Sequence, residues 1–219
     1  MVKKVVGELY ESITGQLFEI GCQLRQAKGY PFDPNILKKY LQNAIDGRFI
    51  VNEPKFVLTR PFDPAEFIRK DWTIWKGPID GNGLSGEENV DLRSLSFKKI
   101  SLADFLFKTC LRKGENFISG KEKLRRLKEE ESDFIRFGGN VFLGLWENYK
   151  IDGKDSILQQ LYCNFGVTSM DFMGHILRSP HGNLNVLYLS RVDSGEWYWD
   201  YYDFSSKWNI DKPSVGCVS

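Results

Sequence analysis

The sequence predicts an α+β protein in which an N-terminal helical module precedes a second domain built from short strands and helices. Residues 8–47 carry apolar side chains at three- and four-residue spacing, the period of an amphipathic helix. Residues 195–208 hold seven aromatic residues in fourteen positions, and their start alternates as a strand does. Short apolar runs separated by glycine and proline lie between these ends, which favours strands joined by turns.

Length and composition are those of an ordinary globular chain. The 219 residues, 42% apolar and 27% charged, suffice for one or two domains with a real core. Thirty basic and 29 acidic residues leave a formal charge of +1, so no global field attracts nucleic acid or anionic membrane. The apolar part of residues 1–7 is shorter than a signal peptide requires, and no run of ~18 apolar residues occurs. We expect a cytoplasmic protein that binds neither nucleic acid nor membrane.

The cysteines are too far apart to suggest a metal site. They are Cys22, Cys110, Cys163 and Cys217. No Cys-x-x-Cys pair and no histidine at ligand spacing accompanies them, so we expect four reduced thiols, no metal and no cofactor.

A helical hairpin is predicted for residues 8–47. The first stripe consists of Leu9, Ile13, Leu17, Ile20 and Leu24, and Gly29 follows it as a stop. Asp33-Pro34 begins a second helix as N-cap and first helical residue. Its stripe consists of Leu37, Tyr40, Leu41, Ala44 and Ile45, before Gly47.

The next segment predicts a strand at 56–59, a capped helical turn at 63–68 and a strand at 72–75. Glycines then cluster between Gly77 and Gly86, which is typical of a loop. We predict the domain boundary there. Residues 1–85 would form the helical hairpin with its connecting segment, and residues 91–219 the ligand-binding domain.

Further elements follow the boundary. Residues 100–102 and 105–107 are apolar and predicted as strands or buried segments. Ser119 is predicted to cap a helix from Lys121 to about Glu130. The basic residues of that helix nearly balance its acidic ones, so a solvated face is favoured over a nucleic-acid stripe. A further helix carries Val141, Phe142, Leu145 and Trp146 on a face predicted to be core.

The C-terminal aromatic stretch is predicted to have two faces. In a strand, Trp197, Trp199 and Tyr201 share one face, while Tyr198, Asp200 and Tyr202 share the other. The first face is predicted to be core. The second has the tyrosine and small polar residues that recognition surfaces use.

Short motifs at fixed spacing cover residues 91–219. They are Leu92-Arg93-Ser94-Leu95, Gly120-x-Glu122-Lys123-Leu124, Val141-Phe142-x-x-Leu145-Trp146-Glu147-Asn148, Leu177-Arg178-Ser179-Pro180-x-Gly182, Val186-Leu187-Tyr188-Leu189, Gly195-x-Trp197-x-Trp199, Trp208 and Pro213-Ser214-Val215. Through them the chain resembles the C-terminal domain of the variable proteins of diversity-generating retroelements. The resemblance implies a C-type lectin-like fold preceded by the helical module. The chain departs from the family's usual residues at 190–191, at 203–204 and at its C-terminus.

The resemblance also implies a function. In that bacterial family a reverse transcriptase mutates adenines, which rewrites codons in the 3′ part of the target gene. Residues 200–206 all belong to the set that asparagine codons can become. We therefore expect a hypervariable region on a surface that binds a ligand, a protein of unknown identity, without catalysis.

Two groups of residues are predicted to build that surface. The structural framework consists of Trp197, Trp199, Trp208 and Pro213. The ligand-binding set consists of Tyr188, Ser190, Arg191, Glu196, Tyr198, Asp200, Tyr201, Tyr202, Asp203, Ser205, Ser206, Asn209 and Asp211. Including Tyr201 assumes that the strand has turned into a loop before that residue.

The alternative function is a small enzyme or a nucleotide-binding regulator. It would use His175, His181 and the Gly77–Gly86 loop. Both histidines are predicted to lie in exposed turns with no identified partner, and the loop has no phosphate-binding pattern at a helix start. No catalytic residue is therefore assigned.

Overall fold

The computed structural model describes residues 7–25, 37–38, 41, 45, 55–58, 60–77, 83–84, 88–129 and 133–218. The chain divides into two compact units, 1–51 and 52–219. This division falls earlier than the glycine-rich segment where we predicted it. The reason is that Phe56, Phe62 and Trp72 lie in the core of the second unit.

The first unit contains helix α1, Glu8–Leu24. The helix ends at the Arg25 cap, before Gly29, which lies outside the described residues. Three residues of its predicted apolar stripe, Ile13, Leu17 and Leu24, are exposed. Within the predicted second helix, the described residues, all helical, are Leu37, Lys38, Leu41 and Ile45.

The second unit mixes short strands with helices, so the predicted α+β class is confirmed. Its helices are α2 (Pro64–Phe67), α3 (Gly120–Glu129), α4 (Gly139–Asp152) and α5 (Ile157–Phe165), with 3-10 helices at Leu92–Ser96, Leu102–Asp104 and Gly153–Asp155. Its strands are β1 (Lys55–Val57), β2 (Thr73–Ile74), β3 (Lys99–Ser101), β4 (Leu106–Lys108), β5 (Ile118–Ser119), β6 (Phe134–Arg136), β7 (Ser169–Asp171), β8 (Leu177–Arg178), β9 (Leu184–Arg191), β10 (Trp197–Asp203), β11 (Lys207–Trp208) and β12 (Ser214–Val218).

Local sequence explains where several elements begin. The Asp63 carboxylate accepts the Ala65 amide at 2.8 Å and starts α2, as predicted. The Ser119 hydroxyl accepts the Glu122 amide at 3.2 Å at the start of α3, also as predicted. The strands predicted near 56–59 and 72–75 are confirmed as β1 and β2.

Strand β9 lies at the centre of the largest sheet. In the described part of the chain, that sheet runs β2-β8-β9-β7-β12-β4, with β10 added on β9 and β6 on β12. All its pairings are antiparallel except that of β7 with β12. Strand β10 pairs with β9 along its whole length, from Trp197 opposite Arg191 to Asp203 opposite Asn185.

Two apolar clusters cover opposite faces of β9. Leu187 and Leu189 belong to the larger cluster, while Val186 belongs to the smaller one. Helix α4 supplies Val141, Phe142 and Leu145 to the larger cluster, fully buried, so the predicted core face of this helix is confirmed. The smaller cluster covers the second face only near the Val186 end of β9.

Candidate functional site

Strand β10 presents its side chains in two rows. The inward row consists of Trp197, Trp199 and Tyr201, and the outward row consists of Tyr198, Asp200 and Tyr202. Trp197 is 3% exposed, whereas Tyr198 is 39% exposed. The predicted alternation is confirmed in burial from Trp197 to Asp200. Beyond these residues the pattern reverses, since Tyr201 is exposed and Tyr202 is half-buried.

The inward row packs on aromatic residues of the larger cluster. The Trp199 ring lies 4.7 Å from Phe67 and 6.2 Å from Phe142, between ring centroids. The Trp197 amide donates to the Tyr149 hydroxyl at 3.1 Å. Helices α2 and α4 thus hold this side of the strand in place.

Tyr201 lies on the inward row. The strand continues to Asp203, so the assumption that it had become a loop before Tyr201 is wrong. Its ring packs on Trp72 at 4.6 Å between centroids, although Tyr201 keeps 41% of its surface exposed. Tyr201 therefore lies on the opposite face of β10 from Tyr198 and Tyr202.

The two tyrosines of the outward row line a pocket with a volume of about 110 Å³. Tyr198 and Tyr202 contribute from β10, and Tyr188 and Ser190 contribute from the facing strand β9. The Tyr188 ring meets Tyr198 at 6.0 Å and Tyr202 at 5.1 Å in edge-on geometry. The structure therefore brings these four predicted contact residues together.

A buried ion pair lies under this pocket. The Lys123 ammonium donates to the Asp171 carboxylate at 2.5 Å, and both side chains are buried. The Trp208 indole donates to the same oxygen at 2.9 Å, and the Ser214 hydroxyl donates to the other at 2.5 Å. Both oxygens of Asp171 accept hydrogen bonds, as an ionised carboxylate does.

Burial acts on both members of this pair. It lowers the pKa of Lys123 and raises the pKa of Asp171, because removing water disfavours each charged form. The opposite charge of each partner counteracts that effect. The pair joins α3, β7 and the C-terminal segment beneath the tyrosines.

Lys212 stands at the wall of the pocket. Its ammonium lies 3.6 Å from the centroid of the Tyr202 ring and donates a short hydrogen bond to the Tyr202 hydroxyl. Its backbone carbonyl accepts from Lys123 at 2.5 Å. Burial and the hydrogen bond with Tyr198, together with nearby charges, raise the pKa of Tyr188, so its hydroxyl stays protonated.

The remaining predicted contact residues lie away from this pocket. The Arg191 guanidinium stacks on Tyr162 at 3.7 Å from the ring centroid. Glu196 is exposed and directly precedes β10. The Ser205 amide and hydroxyl both donate to the Asp203 carboxylate. The Ser206 amide donates to the Asp203 carbonyl.

Two of those residues belong to another depression. Asp203 and Ser205 line a separate open groove of about 550 Å³ with Lys121 and Gly182. Farther along the chain, Asn209 donates to Asp211 at 3.0 Å. The thirteen predicted residues therefore occupy several neighbouring places, of which the tyrosine-lined pocket is one.

The framework residues hold the pocket from behind. Trp208 is buried between Tyr202, at 5.6 Å, and Phe204, at 6.3 Å. Pro213 is half-buried and its carbonyl accepts the Asp171 amide at 2.9 Å. Together with the buried Trp197, these contacts agree with the predicted supporting role.

Sequence reasoning missed Lys123, Asp171 and Lys212. The expectation that the basic residues of α3 form a solvated face is wrong for Lys123 and Arg126, which are buried. A signal was present, since buried Gly120, Lys123, Leu124 and Leu127 recur at i, i+3, i+4 and i+7. Lysine in that series indicates a buried partner carboxylate, although the sequence does not name it.

The prediction of an exposed turn is wrong for His175. This residue is 3% exposed, and its Nδ1 accepts the Gly139 amide at 2.9 Å at the start of α4. Burial, with a smaller effect of the Arg136 charge, lowers the pKa of His175 to about 4. His181 is exposed as predicted.

Several other predictions concern absent features. Among the described residues, no three or more His, Cys, Asp and Glu side chains are grouped to hold a metal ion. The four cysteines are free. Most of the predicted Gly77–Gly86 loop lies outside the described residues. Of the helices described, none is long and apolar enough to cross a membrane.

Comparison of the chain with protein-family models, with curated proteins and with known structures gave no match.

Proposed function

We propose that this chain is a ligand-binding variable protein of a diversity-generating retroelement, with a C-type lectin-like second unit and a protein as its ligand. The observation that carries the proposal is the division of β10 into two rows. Trp197 and Trp199 pack inward, while Tyr198, Asp200 and Tyr202 face outward, and the two tyrosines line the pocket. Side chains of the outward row can change without disturbing the inward packing.

The outward row suits recognition for a physical reason. Tyrosine offers a large contact area with few rotatable bonds, so little entropy is lost when a partner binds. The Tyr188 ring contacts Tyr198 and Tyr202 edge to face, which preorganises the three rings. Around them, Asp200, Asp203, Ser205 and Asp211 supply exposed polar groups.

The supporting arrangement favours binding without chemistry. Asp171 and Lys123 neutralise each other and are held by Trp208 and Ser214. His175 is enclosed in the core and its Nδ1 is engaged by the backbone. These groups are explained by stability alone, which supports a binding role.

Sequencing the 3′ end of the gene across many cells of the source population tests the diversification. Substitutions should fall between about codons 188 and 211, at adenines of a neighbouring near-copy, and should spare Trp197, Trp199 and Trp208. A uniform sequence without a neighbouring copy would refute diversification.

A display library tests the binding surface directly. Randomising residues 188, 190, 198, 200 and 202 should yield folded variants that bind different purified proteins in a panel. A matched library that randomises the inward-facing residues 187, 189, 197 and 199 should lose display and binding. If the first library yields no binder, the outward row is not the recognition surface.

A further inference from the structure

The pocket of the outward row contains one ammonium whose donors are not all used, that of Lys212. An ammonium has three donors, and that of Lys212 uses one on the Tyr202 hydroxyl. Among the described residues it has no second acceptor. The Tyr202 hydroxyl accepts there and keeps its own proton to donate. The hydroxyls of Tyr188 and Tyr198 also belong to residues that line the pocket, and each carries a proton that it can donate.

The acceptors beneath the pocket are already engaged. Both oxygens of Asp171 receive donors from Lys123, Trp208 and Ser214. Ser190 itself donates to the Thr168 carbonyl at 3.4 Å. An arriving group therefore meets donors with free protons above a carboxylate that has no oxygen free.

The net charge around the pocket also favours an anionic ligand. Lys123 and Asp171 together are neutral wherever their shared proton lies, so Lys212 adds one net positive charge. The one nearby opposing charge of the outward row, Asp200, is exposed to solvent and stands across the strands from Tyr188. Water screens that carboxylate more than it screens the half-buried Lys212.

The size and walls restrict the ligand further. A volume of about 110 Å³ is several times the roughly 10–15 Å³ that one water needs. Tyrosine rings form its sides, and their faces and edges accommodate methylene groups. The space thus suits a small anionic head on a short aliphatic stem.

We propose that this pocket receives the carboxylate of an acidic side chain, glutamate above all, from the protein ligand, with Lys212 as its counter-charge and the tyrosine hydroxyls as further donors. This inference rests on the proposed function, because it names the partner chemistry of the same surface. It makes Lys212, which lies outside the predicted contact set, a specificity-determining residue.

The test uses blocked single amino acids as probes on the full chain with labelled tyrosine rings. N-acetylglutamate N-methylamide should shift the NMR signals of Tyr188, Tyr198 and Tyr202 in a saturable manner. The glutamine counterpart, which is neutral and of the same shape, should bind about tenfold more weakly. An equal response to both, or a stronger response to the lysine counterpart, would overturn the proposal.

Two variants locate the effect. Lys212→Met keeps the stem and the backbone carbonyl that Lys123 uses, and should weaken the glutamate probe about tenfold. Tyr198→Phe should weaken it less, because it removes one neutral donor. Lys207→Met, at an exposed lysine on β11, is the matched control and should change nothing. Unchanged binding to Lys212→Met would refute the role of this lysine.

The two proposals fail separately. If the probes give no shift while the display library still yields protein binders, the pocket is not a carboxylate site but the surface remains a binding surface. If the probes bind at Lys212 while the library yields no binder, the pocket takes a free small carboxylate, and the protein-ligand proposal is wrong.

Discussion

The inward and outward rows of β10 share one backbone and both contain aromatic residues, yet they differ in what lies against them. Phe67 and Phe142 pack on Trp199, whereas Tyr188 and Tyr198 contact each other beside the open pocket and Tyr202 has a buried residue, Trp208, behind it. The smaller apolar cluster covers only one end of the outward face. Aromatic content alone therefore does not separate a core strand from a recognition strand, and the covering elements do.

The largest expected effect concerns the ion pair beneath the outward row. Asp171→Asn leaves the Lys123 ammonium buried without its counter-charge, so the free energy of unfolding should fall by roughly 3–5 kcal/mol. Urea denaturation measures this loss. The double variant Lys123→Met with Asp171→Asn removes both charges and should lose less than the single variant. If Asp171→Asn were as stable as the parent, the Lys123–Asp171 ion pair would not contribute to the stability of the fold.

Truncation within the two rows tests the comparison itself. Trp199→Ala should lower the free energy of unfolding by about 3 kcal/mol, since an indole packed on Phe67 and Phe142 is removed. Tyr198→Ala, one position earlier on the exposed side, should cost only about 0.5–1 kcal/mol, the value of its one aromatic pair with Tyr188. Equal losses in urea denaturation would contradict the division into rows.

Buried His175 and exposed His181 are expected to differ in their effect on the pH dependence of stability. The pKa of His175 is about 4 in the folded chain and near 6.5 when unfolded, so between these values only the unfolded chain takes up this proton. The contribution of His175 to the free energy of unfolding is fully present above pH 6.5. It is lost as the pH falls towards 4, by roughly 3 kcal/mol in all. Stability measured against pH should show this slope.

Variants separate this contribution from other titrating groups. His175→Asn keeps an oxygen near the position of Nδ1 for the Gly139 amide and does not titrate, so its slope between pH 6.5 and 4 should be shallower. His181→Gln, at the exposed histidine, should retain the parent slope. An unchanged slope in His175→Asn would assign the effect to other residues.

The smallest expected effect sharpens the comparison at the end of the strand. Tyr201 belongs to the inward row and packs on Trp72, yet 41% of its surface is exposed. Tyr201→Ala should cost about 1.5 kcal/mol, because it removes an aromatic pair and also uncovers the buried Trp72. Thermal unfolding beside Tyr198→Ala measures it, and no difference between the two would remove Tyr201 from the structural row.

The sequence predicted the parts of the fold that depend on local periodicity. Alternation assigned Trp197 and Tyr198 to opposite faces, and cap residues such as Asp63 and Ser119 located helix starts. The pairing of Lys123 with Asp171 joins positions 48 residues apart, and no local pattern specifies such a contact. His175 was misassigned because glycine beside it indicates a turn, whereas burial is decided by Phe62 and the start of α4.

The candidate site was predicted in part for the same reason. Tyr188, Ser190, Tyr198 and Tyr202 come together because β9 and β10 are antiparallel neighbours in the chain. Arg191, Asp203 and Asn209 lie elsewhere, since their positions depend on Tyr162 and on the turns after β10. Lys212 enters the pocket through Tyr202, a contact that neither residue's neighbours in the sequence suggest.

The continuous pairing of β10 with β9 limits the kinds of change this surface can accept during evolution. One residue inserted between Trp197 and Asp203 would exchange the two rows beyond the insertion, placing tyrosine and aspartate in the core and tryptophan in water. A replacement leaves the order of the rows intact. Variation by replacement at fixed length is therefore compatible with folding here, whereas a single-codon insertion or deletion in the strand is not.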